Sequence, residues 1–398
     1  MTEQAKVPEI RFAGFTDPWE QRKLGELALT YSGGTPSAGN SAYYGGEIPF
    51  IRSAEIDCDS TELSLTVAGL NNSSAKLVDK GMVLYAMYGA TSGEVAISKI
   101  KGAINQAILA MDASDMAANR FIAYWLRRQK KSITETFLQG GQGNLSGAII
   151  KELGIPQPSL DEQRQIGSFF SNLDDLITLH QRKYDKLVIL KKSMLEKMFP
   201  KDGESVPEIR FAGFTDPWEQ RKASEVFQIV DDRGHPTLPV LSATQNQGMI
   251  YRDDSGRYIG HDESNEIGYK RVLPGDFVVH LRSFQGGFAH SQYEGITSPA
   301  YTVFRAKEPT SHSDRFWKHW FMSEHFIAGL STVTYGIRDG RSISVDEFMN
   351  TFLAFPAVEE QAAISRLFDY LDDLITLHQR KLELLQNIKK SLLDKMFV

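Results

Sequence analysis

Residues 173–183 read LDDLITLHQRK, and the same eleven letters return at residues 371–381. A second identical pair, VPEIRFAGFTDPWEQRK, occupies residues 7–23 and 206–222. The offsets of 198 and 199 residues in a chain of 398 indicate a tandem duplication. Between the repeats the two halves share little sequence. Each half is therefore predicted to contain a constant leading repeat, a variable block and a constant trailing repeat.

The trailing repeats belong to two segments with the heptad pattern of a coiled coil. In each, apolar residues and one histidine recur every seven residues, with further apolar residues three positions on. The first segment has Ile166, Leu173, His180, Leu187 and Met194, with Phe169, Leu176 and Leu190; the second has Ile364, Leu371, His378, Leu385 and Leu392, with Leu367, Leu374 and Ile388. Two long helices are predicted, at 159–200 and 357–398. Since the second must run back to pair with the first, we expect them to be antiparallel.

Local signals add detail to these helices. Ser159 and Glu162 have the spacing of a capping box at the start of the first helix. His180 and His378 occupy apolar positions of the seam, near the middle of the expected pair. We interpret them as residues that fix the register of the helices, with a pH-sensing role as the alternative.

The variable blocks, block one (24–155) and block two (223–355), show strand patterns followed by a helical pattern. Apolar runs bounded by turn residues predict strands in block one at 48–51, 82–85 and 107–110. Helical spacing predicts helices at 120–137 and 313–330. In the second of these, the aromatic residues are interpreted as the core face: Phe316, Trp317, Trp320 and Phe321. Each leading repeat is predicted to form a short helix, at 17–20 and 216–219, from its cap residue and first-turn proline.

The expected fold is therefore α+β. Two strand-rich domains are held apart by an antiparallel two-helix coiled coil, with a pseudo-twofold relation between the halves. The predicted segments are 1–158, 159–200, 201–356 and 357–398.

Composition and motif content exclude several classes of protein. No run of residues approaches the roughly 18 apolar residues of a membrane span, and the N-terminus does not resemble a secretory signal. The single cysteine, Cys58, excludes a disulfide framework and fits a reducing cytoplasm. The sequence has no phosphate-binding loop, no dinucleotide fingerprint and no metalloprotease motif, and its nine histidines lack metal-ligand spacing. We expect a cytoplasmic protein with no cofactor and no metal.

Several motifs and their order resemble a known family. Block one has Tyr31-x-Gly33-Gly34-Thr35-Pro36-Ser37, then GEIPFI at 46–51 and Asn105-Gln106; block two has LPGDF at 273–277 and GITSPAY at 295–301; a Pro-x-x-x-Glu-Gln motif ends at Gln163 and at Gln361. Together with the duplication, these motifs resemble the specificity subunits of type I restriction–modification enzymes over essentially the whole chain. One departure is Phe50, where the family more usually has tryptophan.

The resemblance implies a non-catalytic subunit that recognises DNA. Each block would be a target recognition domain that reads one half of a bipartite double-stranded target. The helices would set the gap between the halves and bind two methyltransferase subunits, with restriction and translocase subunits joining through the complex. Methylation and cleavage would belong to the partner chains.

The repeated polar residues of the helices are the candidate partner surface. Burial alone would not keep polar letters identical in both copies, whereas two copies of one docking surface would; a recent duplication is the alternative explanation. The candidates are Asp174, Asp175, Arg182, Lys183, Asp372, Asp373, Arg380 and Lys381.

Candidate DNA-binding residues are polar side chains in loops and near glycines. The arginine fork suits guanine edges and phosphates, and glycine-rich loops can approach a groove closely. The candidates in block one are Thr35, Ser37, Arg52, Gln142 and Asn144; those in block two are Arg233, Arg282, Gln285, Arg338, Arg341 and Ser342.

Two other functions are weighed against this hypothesis. A self-contained DNA methyltransferase would need a catalytic Asn-Pro-Pro-Phe/Tyr motif and a glycine-rich cofactor loop, and the sequence has neither. A coiled-coil scaffold that presents two protein-binding domains stays possible on the pattern alone. DNA binding in the presence of the partner subunits would distinguish it from a specificity subunit. The net charge of −6 decides little, since a large protein can keep basic and acidic faces apart.

Overall fold

The computed structural model describes residues 7–137, 144–201, 203–244, 247–255, 263–279, 288–331 and 344–397. The chain forms two compact units. Unit 1 contains Met1–Gln181 and Arg380–Val398, and unit 2 contains Arg182–Gln379. Each unit combines one variable block with parts of both long helices. This division does not separate the blocks from the helices, so the four predicted segments stay a prediction. Within the described part of the chain, no helix is long and apolar enough to cross a membrane.

The described part of the first half contains ten strands and five α-helices, and the last of these α-helices is the first of the two long helices. In chain order they are β1 (Glu20–Lys23), α1 (Leu24–Leu27), β2 (Leu29–Ser32), β3 (Tyr44–Ile51), β4 (Ser64–Leu65), α2 (Val67–Asn71), β5 (Lys76–Val78), β6 (Val83–Ala86), β7 (Val95–Ile97), β8 (Gly102–Ile104), β9 (Ile108–Asp112), α3 (Met116–Phe137), α4 (Gly147–Lys151), β10 (Gly154–Gln157) and α5 (Leu160–Lys197).

The second half repeats this plan. Its described elements are β11 (Glu219–Lys222), α6 (Ala223–Val226), β12 (Phe227–Val230), β13 (Leu241–Thr244), β14 (Gly248–Tyr251), β15 (Lys270–Val272), β16 (Phe277–Val279), β17 (Ala289–His290), β18 (Gly295–Thr297), β19 (Thr302–Ala306), α7 (Asp314–Trp320), α8 (Glu324–Ser331), α9 (Val345–Met349), β20 (Phe352–Phe355) and the second long helix, α10 (Val358–Met396).

The two blocks share one architecture although their sequences differ. Each is built on a four-stranded antiparallel sheet, in the order β2-β9-β6-β7 in block one and β12-β19-β16-β17 in block two. In both, a further segment pairs in parallel. Phe50 lies beside Ala103 in block one, and Val240 lies beside Ile296 in block two.

A glycine beside each parallel pair serves the same packing in both blocks. A Cβ on Gly102 would lie 2.7 Å from the carbonyl oxygen of Pro49, and one on Gly295 would lie 2.5 Å from that of Pro239. Both distances are too short for a real side chain, so the backbones can approach each other only at glycine. The two blocks therefore share this packing requirement although most of their residues differ.

The predicted helix in the leading repeat is wrong. Residues 17–19 are not helical, and Glu20–Lys23 forms β1, which pairs antiparallel with β10 immediately before the long helix. The second copy does the same, since β11 pairs with β20. Strand pairing with a segment more than 130 positions away outweighs a local helix-start signal.

A buried carboxylate joins each leading repeat to the start of a long helix. Arg11 donates from Nε and Nη2 to the two carboxylate oxygens of Glu162, at 2.6 and 2.7 Å, and Trp19 Nε1 donates to the same group at 3.2 Å. Arg210, Trp218 and Glu360 repeat this arrangement in unit 2, at 2.6, 2.7 and 3.0 Å. The ion pair raises the pKa of Arg11. We call each set the carboxylate clamp.

The clamp also corrects the predicted capping box. The Glu162 amide donates to the Ser159 hydroxyl at 3.4 Å, as the motif requires. The Glu162 carboxylate, however, is taken by Arg11 and does not return to the Ser159 backbone. Gln163, the last residue of the motif, donates from Nε2 to the carbonyl of Pro158 at 2.9 Å. The Pro-x-x-x-Glu-Gln motif therefore connects the leading repeat to the start of the long helix.

The helix predicted at 313–330 is two helices, α7 and α8. Ser323 lies at the break: its hydroxyl donates to the Trp320 carbonyl at 2.7 Å and accepts from the Phe326 amide at 3.3 Å. A serine hydroxyl that competes for backbone groups in this way ends one helix and caps the next. The aromatic core prediction is confirmed, since all four side chains are at most 6% exposed: Phe316, Trp317, Trp320 and Phe321.

The long helices are antiparallel within each unit, as predicted. In unit 1, Phe170 contacts Phe397 with ring centroids 5.9 Å apart, and Asp174 pairs with Lys389 at 2.5 Å. The residue numbers of the contacting partners fall as the residue numbers along α5 rise, which shows that the two helices run in opposite directions. In unit 2, Lys191 of α5 pairs with Asp372 of α10 at 2.5 Å.

One of the two predicted seams is displaced. Phe170 is fully buried, and so is its counterpart Phe368, one position beyond the predicted seam residues Phe169 and Leu367. Both rings pack against the blocks. The ring centroids of Tyr124 in α3 and Phe170 are 5.2 Å apart, and those of His319 in α7 and Phe368 are 5.1 Å apart. Each helix therefore packs on two neighbours, a partner helix and a block, which a two-helix heptad model does not include.

The displaced seam leaves apolar side chains on the helix surface. Leu176 and Leu190, both predicted to be buried between helices, are 46% and 43% exposed. His180 and His378 are half-buried, and they belong to different units. The role of the two histidines in fixing the register of the pair stays a prediction.

Candidate nucleic-acid interface

Several predicted DNA-binding residues of block one gather at one end of its main sheet. Because neighbouring strands are antiparallel, the end of β2 at Ser32, the end of β6 at Ala86 and the start of β9 at Ile108 lie at the same edge. We define the block-one edge as four residues near these strand ends: Thr35, Gln106 and Asn144, which are exposed, and Arg52, which is half-buried.

Backbone hydrogen bonds tie these segments around the turn at 105–107. Gly34 donates to the carbonyl of Ile104 at 3.2 Å, which brings in the loop that carries Thr35. Asn105 donates to the carbonyl of Ile51 at 3.4 Å, which places Arg52 beside the turn. Leu145 donates to Met87, whose own amide donates to Ala107, so Asn144 joins the same edge.

Two glycines make the close approach of the Thr35 loop possible. A Cβ on Gly33 would lie 1.9 Å from the carbonyl oxygen of Ile104, and one on Gly34 would lie 1.9 Å from the hydroxyl of Ser74. No side chain fits at either position. As a result Thr35 reaches Gln106, and its hydroxyl donates to Gln106 Oε1 at 2.6 Å.

The exposure of the predicted residues in block one varies. Thr35, Ser37 and Asn144 are exposed, whereas Gln142 lies outside the described residues. Arg52 is half-buried and pairs with Glu55 at 2.8 Å and with Glu62 at 2.5 Å. The hydrogen bond from Arg52 holds the pKa of Glu55 below its usual value. Arg52 would have to exchange its carboxylates for DNA, and its role in binding stays a prediction.

Block two presents the corresponding edge where β12 ends at Val230 and β19 begins at Thr302. Arg233 follows β12 and is exposed, but it pairs with Asp231 through two hydrogen bonds of 2.7 and 3.2 Å. That pair lowers the pKa of Asp231. The remaining candidates of block two lie outside the described residues: Arg282, Gln285, Arg338, Arg341 and Ser342.

Two of the predicted partner-binding residues have intramolecular roles. Asp174 accepts from the hydroxyl of Tyr124 at 2.8 Å and pairs with Lys389. Burial, with the nearby Asp174 charge, raises the pKa of Tyr124. Asp372 pairs with Lys191. Contacts inside the chain thus explain why these two letters recur.

The other six predicted partner-binding residues are exposed: Asp175, Arg182, Lys183, Asp373, Arg380 and Lys381. Between them lies an apolar residue that the sequence analysis missed. Leu179 is 46% exposed and its copy Leu377 is 45% exposed, although both belong to the repeated eleven letters. The available signal was a leucine that recurs in both repeats outside the predicted seam positions.

Each unit contains one complete set of these exposed residues. Unit 1 holds Asp175, Leu179, Arg380 and Lys381, and unit 2 holds the counterpart set Asp373, Leu377, Arg182 and Lys183. This follows from the opposed directions of the helices, since each unit takes the beginning of one and the end of the other. We call each set a helix surface.

Comparison with known proteins finds a family model that matches part of the chain. Residues 16–188 match the family model described as the type I restriction modification DNA specificity domain. The type I restriction enzyme MjaVIII specificity subunit of Methanocaldococcus jannaschii is 23% identical over 398 residues, covering 95% of this chain and 92% of that protein. Residues 16–188 therefore resemble a type I DNA specificity domain, and the chain is similar to a type I specificity subunit over almost its whole length.

Other similar proteins cover less of this chain or resemble it only in structure. The EcoR124I/EcoR124II specificity subunit of Escherichia coli is 25% identical over 187 residues, which is 42% of this chain and 46% of that protein. The crystal structure of the type I system S subunit from M. genitalium covers 99% of both chains, with a TM-score of 0.58 and 13% identity. This structural likeness confirms the predicted fold.

Three histidines in the described part of block two make structural contacts. His290 lies 2.7 Å from Asp314, and His319 lies 3.2 Å from Asp369. His312 accepts a hydrogen bond from Trp317 Nε1 at 2.7 Å, and burial lowers its pKa to about 4. Among the residues that the structure describes, no group of three or more side chains could hold a metal ion.

Proposed function

We propose that this chain is a type I specificity subunit that recognises a bipartite double-stranded DNA target, with one block reading each half, and that partner chains carry out methylation and cleavage. The observation that carries the proposal is the common architecture of two blocks with unlike sequences. The same four-stranded sheet supports both, so both present corresponding edges. Different side chains on one scaffold are what two different half-sites require.

The edges differ in chemistry as well as in letters. The described edge of block one carries neutral hydroxyl and amide groups at Thr35, Gln106 and Asn144. The corresponding edge of block two carries an arginine, Arg233, on a surface carboxylate. Hydroxyls and amides suit base edges, while an arginine suits guanine or phosphate. The two half-sites are therefore expected to differ, and the complex would act on DNA in the cytoplasm.

Exchanging one block tests this proposal. Replacing residues 24–155 with the equivalent block of another specificity subunit is expected to change one half of the methylated motif and to leave the other half unchanged. The junctions fall in the β1–β10 pair, where Lys23 lies opposite Gly154, so the scaffold on either side is preserved. The measurement is methylome sequencing of a host that carries the variant with its methyltransferase partner.

The reciprocal exchange, of residues 223–355, is the control and should change only the other half. A variant in which both halves changed, or neither, would contradict the modular reading of DNA. A folded chain that binds no DNA even with its partners would instead favour a scaffold that presents two protein-binding domains.

We also propose that each helix surface binds one methyltransferase subunit, and that restriction and translocase subunits join through that complex. The support is the repeated exposed leucine with charged residues around it. A partner that covers an exposed leucine stabilises the complex by about 25 cal/mol per Å² of apolar area buried. Two equivalent surfaces, one in each unit, fit two copies of one partner.

Charge substitution at the leucines tests the docking surfaces. Leu179→Asp and Leu377→Asp are each expected to remove one methyltransferase subunit, and the double variant to remove both, because a carboxylate would be buried without a partner. Native mass spectrometry of the assembled complex would count the subunits. The control is Ile189→Asp: this residue is 68% exposed, but the second copy has Asn387 in its place. Loss of both subunits in either single variant would argue against two independent surfaces.

A further inference from the structure

Gln106 belongs to the block-one edge but is not among the DNA-binding residues predicted from the sequence. Its side chain is exposed, whereas the next residue, Ala107, is buried at the start of the sheet. The Asn105 side chain accepts a hydrogen bond from the Ala107 amide at 3.1 Å, which fixes the turn. The backbone of Gln106 is therefore held while its amide group faces outward.

Thr35 fixes the orientation of that amide. The Thr35 hydroxyl donates to Gln106 Oε1 at 2.6 Å, and this contact exists only because Gly33 and Gly34 let the loop lie on β8. The hydrogen bond occupies one lone pair of Oε1. The second lone pair and both hydrogens of Nε2 stay available to a ligand.

The charge around Gln106 favours a base over a phosphate. Arg52, the arginine of this edge, already pairs with Glu55 and Glu62, so the three groups carry one net negative charge. A phosphate gains little attraction at such a place. A neutral amide with one free acceptor and free donors matches a base edge in the major groove, and glutamine pairs in this way with adenine N6 and N7.

We propose that Gln106 reads an adenine in the half-site of block one, accepting from the N6 amino group and donating to N7, with Thr35 as the residue that positions the amide. This inference rests on the proposed function, in which block one binds DNA. The equivalent turn in block two begins at Ser298, whose side chain accepts from the amide two positions on, as that of Asn105 does in block one. The residue that corresponds to Gln106 in this turn is Pro299, so block two has no counterpart of Gln106. The effect belongs to one half-site only.

The experiment uses the full complex with its methyltransferase partner and a DNA library randomised at every position of both half-sites. Gln106→Ala is expected to lower the preference for one A·T pair of the first half-site by about 5- to 150-fold and to leave the other positions unchanged. Gln106→Glu should shift preference at that pair toward cytosine, since a carboxylate accepts from the cytosine amino group. Thr35→Val should give a smaller loss at the same pair.

The matched control is Gln157→Ala. Gln157 lies in β10, opposite Glu20, and β1 and β10 join the block at the end of the sheet where β2 begins, away from the edge. It should leave the profile of preferred sequences unchanged. Equal melting temperatures of the variants and the parent would show that each chain is folded.

Three results would overturn the inference. Uniform weakening at all positions would make Gln106 a backbone contact, a change in the second half-site would place it elsewhere, and an unchanged profile would remove it from the interface. If the parent complex binds no DNA at all, the proposed function itself fails. That outcome is distinguishable, since it appears before any substitution is made.

Discussion

Replacing Glu162 with alanine is expected to lower the free energy of unfolding of unit 1 by about 3–5 kcal/mol. The Glu162 side chain is 1% exposed and that of Arg11 12% exposed, so the substitution leaves a guanidinium without its carboxylate in a largely buried place. It also removes the acceptor of Trp19 Nε1. Hydrogen exchange under native conditions, which separates local opening from global unfolding, would localise the loss to unit 1.

The duplication supplies an internal comparison for this prediction. Glu360→Ala should destabilise unit 2 in the same way, because Arg210 and Trp218 contact it at similar distances. Glu26→Ala is the control: this residue forms an exposed pair with Arg22 at 3.2 Å, of a kind that contributes about 0–1 kcal/mol. If Glu162→Ala cost no more than Glu26→Ala, the carboxylate clamp would have no part in stability.

Lengthening both long helices by one heptad, after Lys186 and Leu384, is expected to widen the gap between the two half-sites by about three base pairs. Seven residues at 1.5 Å each add about 10 Å, and base pairs rise 3.4 Å. Both insertion points are exposed, and seven residues keep the buried seam in frame. The measurement is the methylated or bound motif across a library of spacer lengths, with the half-site sequences expected to stay the same.

A four-residue insertion at the same places is the control. It shifts the apolar seam out of frame and should reduce assembly rather than move the preferred gap. A wider gap also rotates one half-site around the duplex, so the heptad variant is expected to bind less tightly than the parent. A folded, DNA-binding heptad variant whose preferred gap stays at the parental value would show that the helices do not set the spacing.

Local periodicity was sufficient for part of the architecture. The heptads predicted two long helices, and the structure has them at Leu160–Lys197 and Val358–Met396. Connectivity predicted their opposed directions, and helical spacing predicted the buried face that includes Phe316 and Trp317. These features repeat over three to seven residues, so they are legible in one sequence.

Long-range pairing decided what periodicity could not. The leading repeat has a helix-start signal at 17–20, yet it forms β1 because β10 offers a partner strand. The second seam passes through Phe170 instead of Phe169, because α3 packs on α5 as well. In both cases the residues that decide the local structure are distant in sequence, so a local sequence pattern does not include them.

The candidate site divides along the same line. The sequence by itself determined the duplication, the two long helices, the resemblance to specificity subunits and which side chains are polar loop residues. Only the tertiary structure brought Thr35 to Gln106, because that contact requires Gly33 to lie on Ile104, 71 positions further along the chain. Only the tertiary structure showed that Arg52 is already neutralised, since its exposure and ion pairs depend on how Glu55 and Glu62 pack around it. Residue type and spacing are written in the sequence, whereas a binding surface depends on which distant residues the fold leaves exposed together.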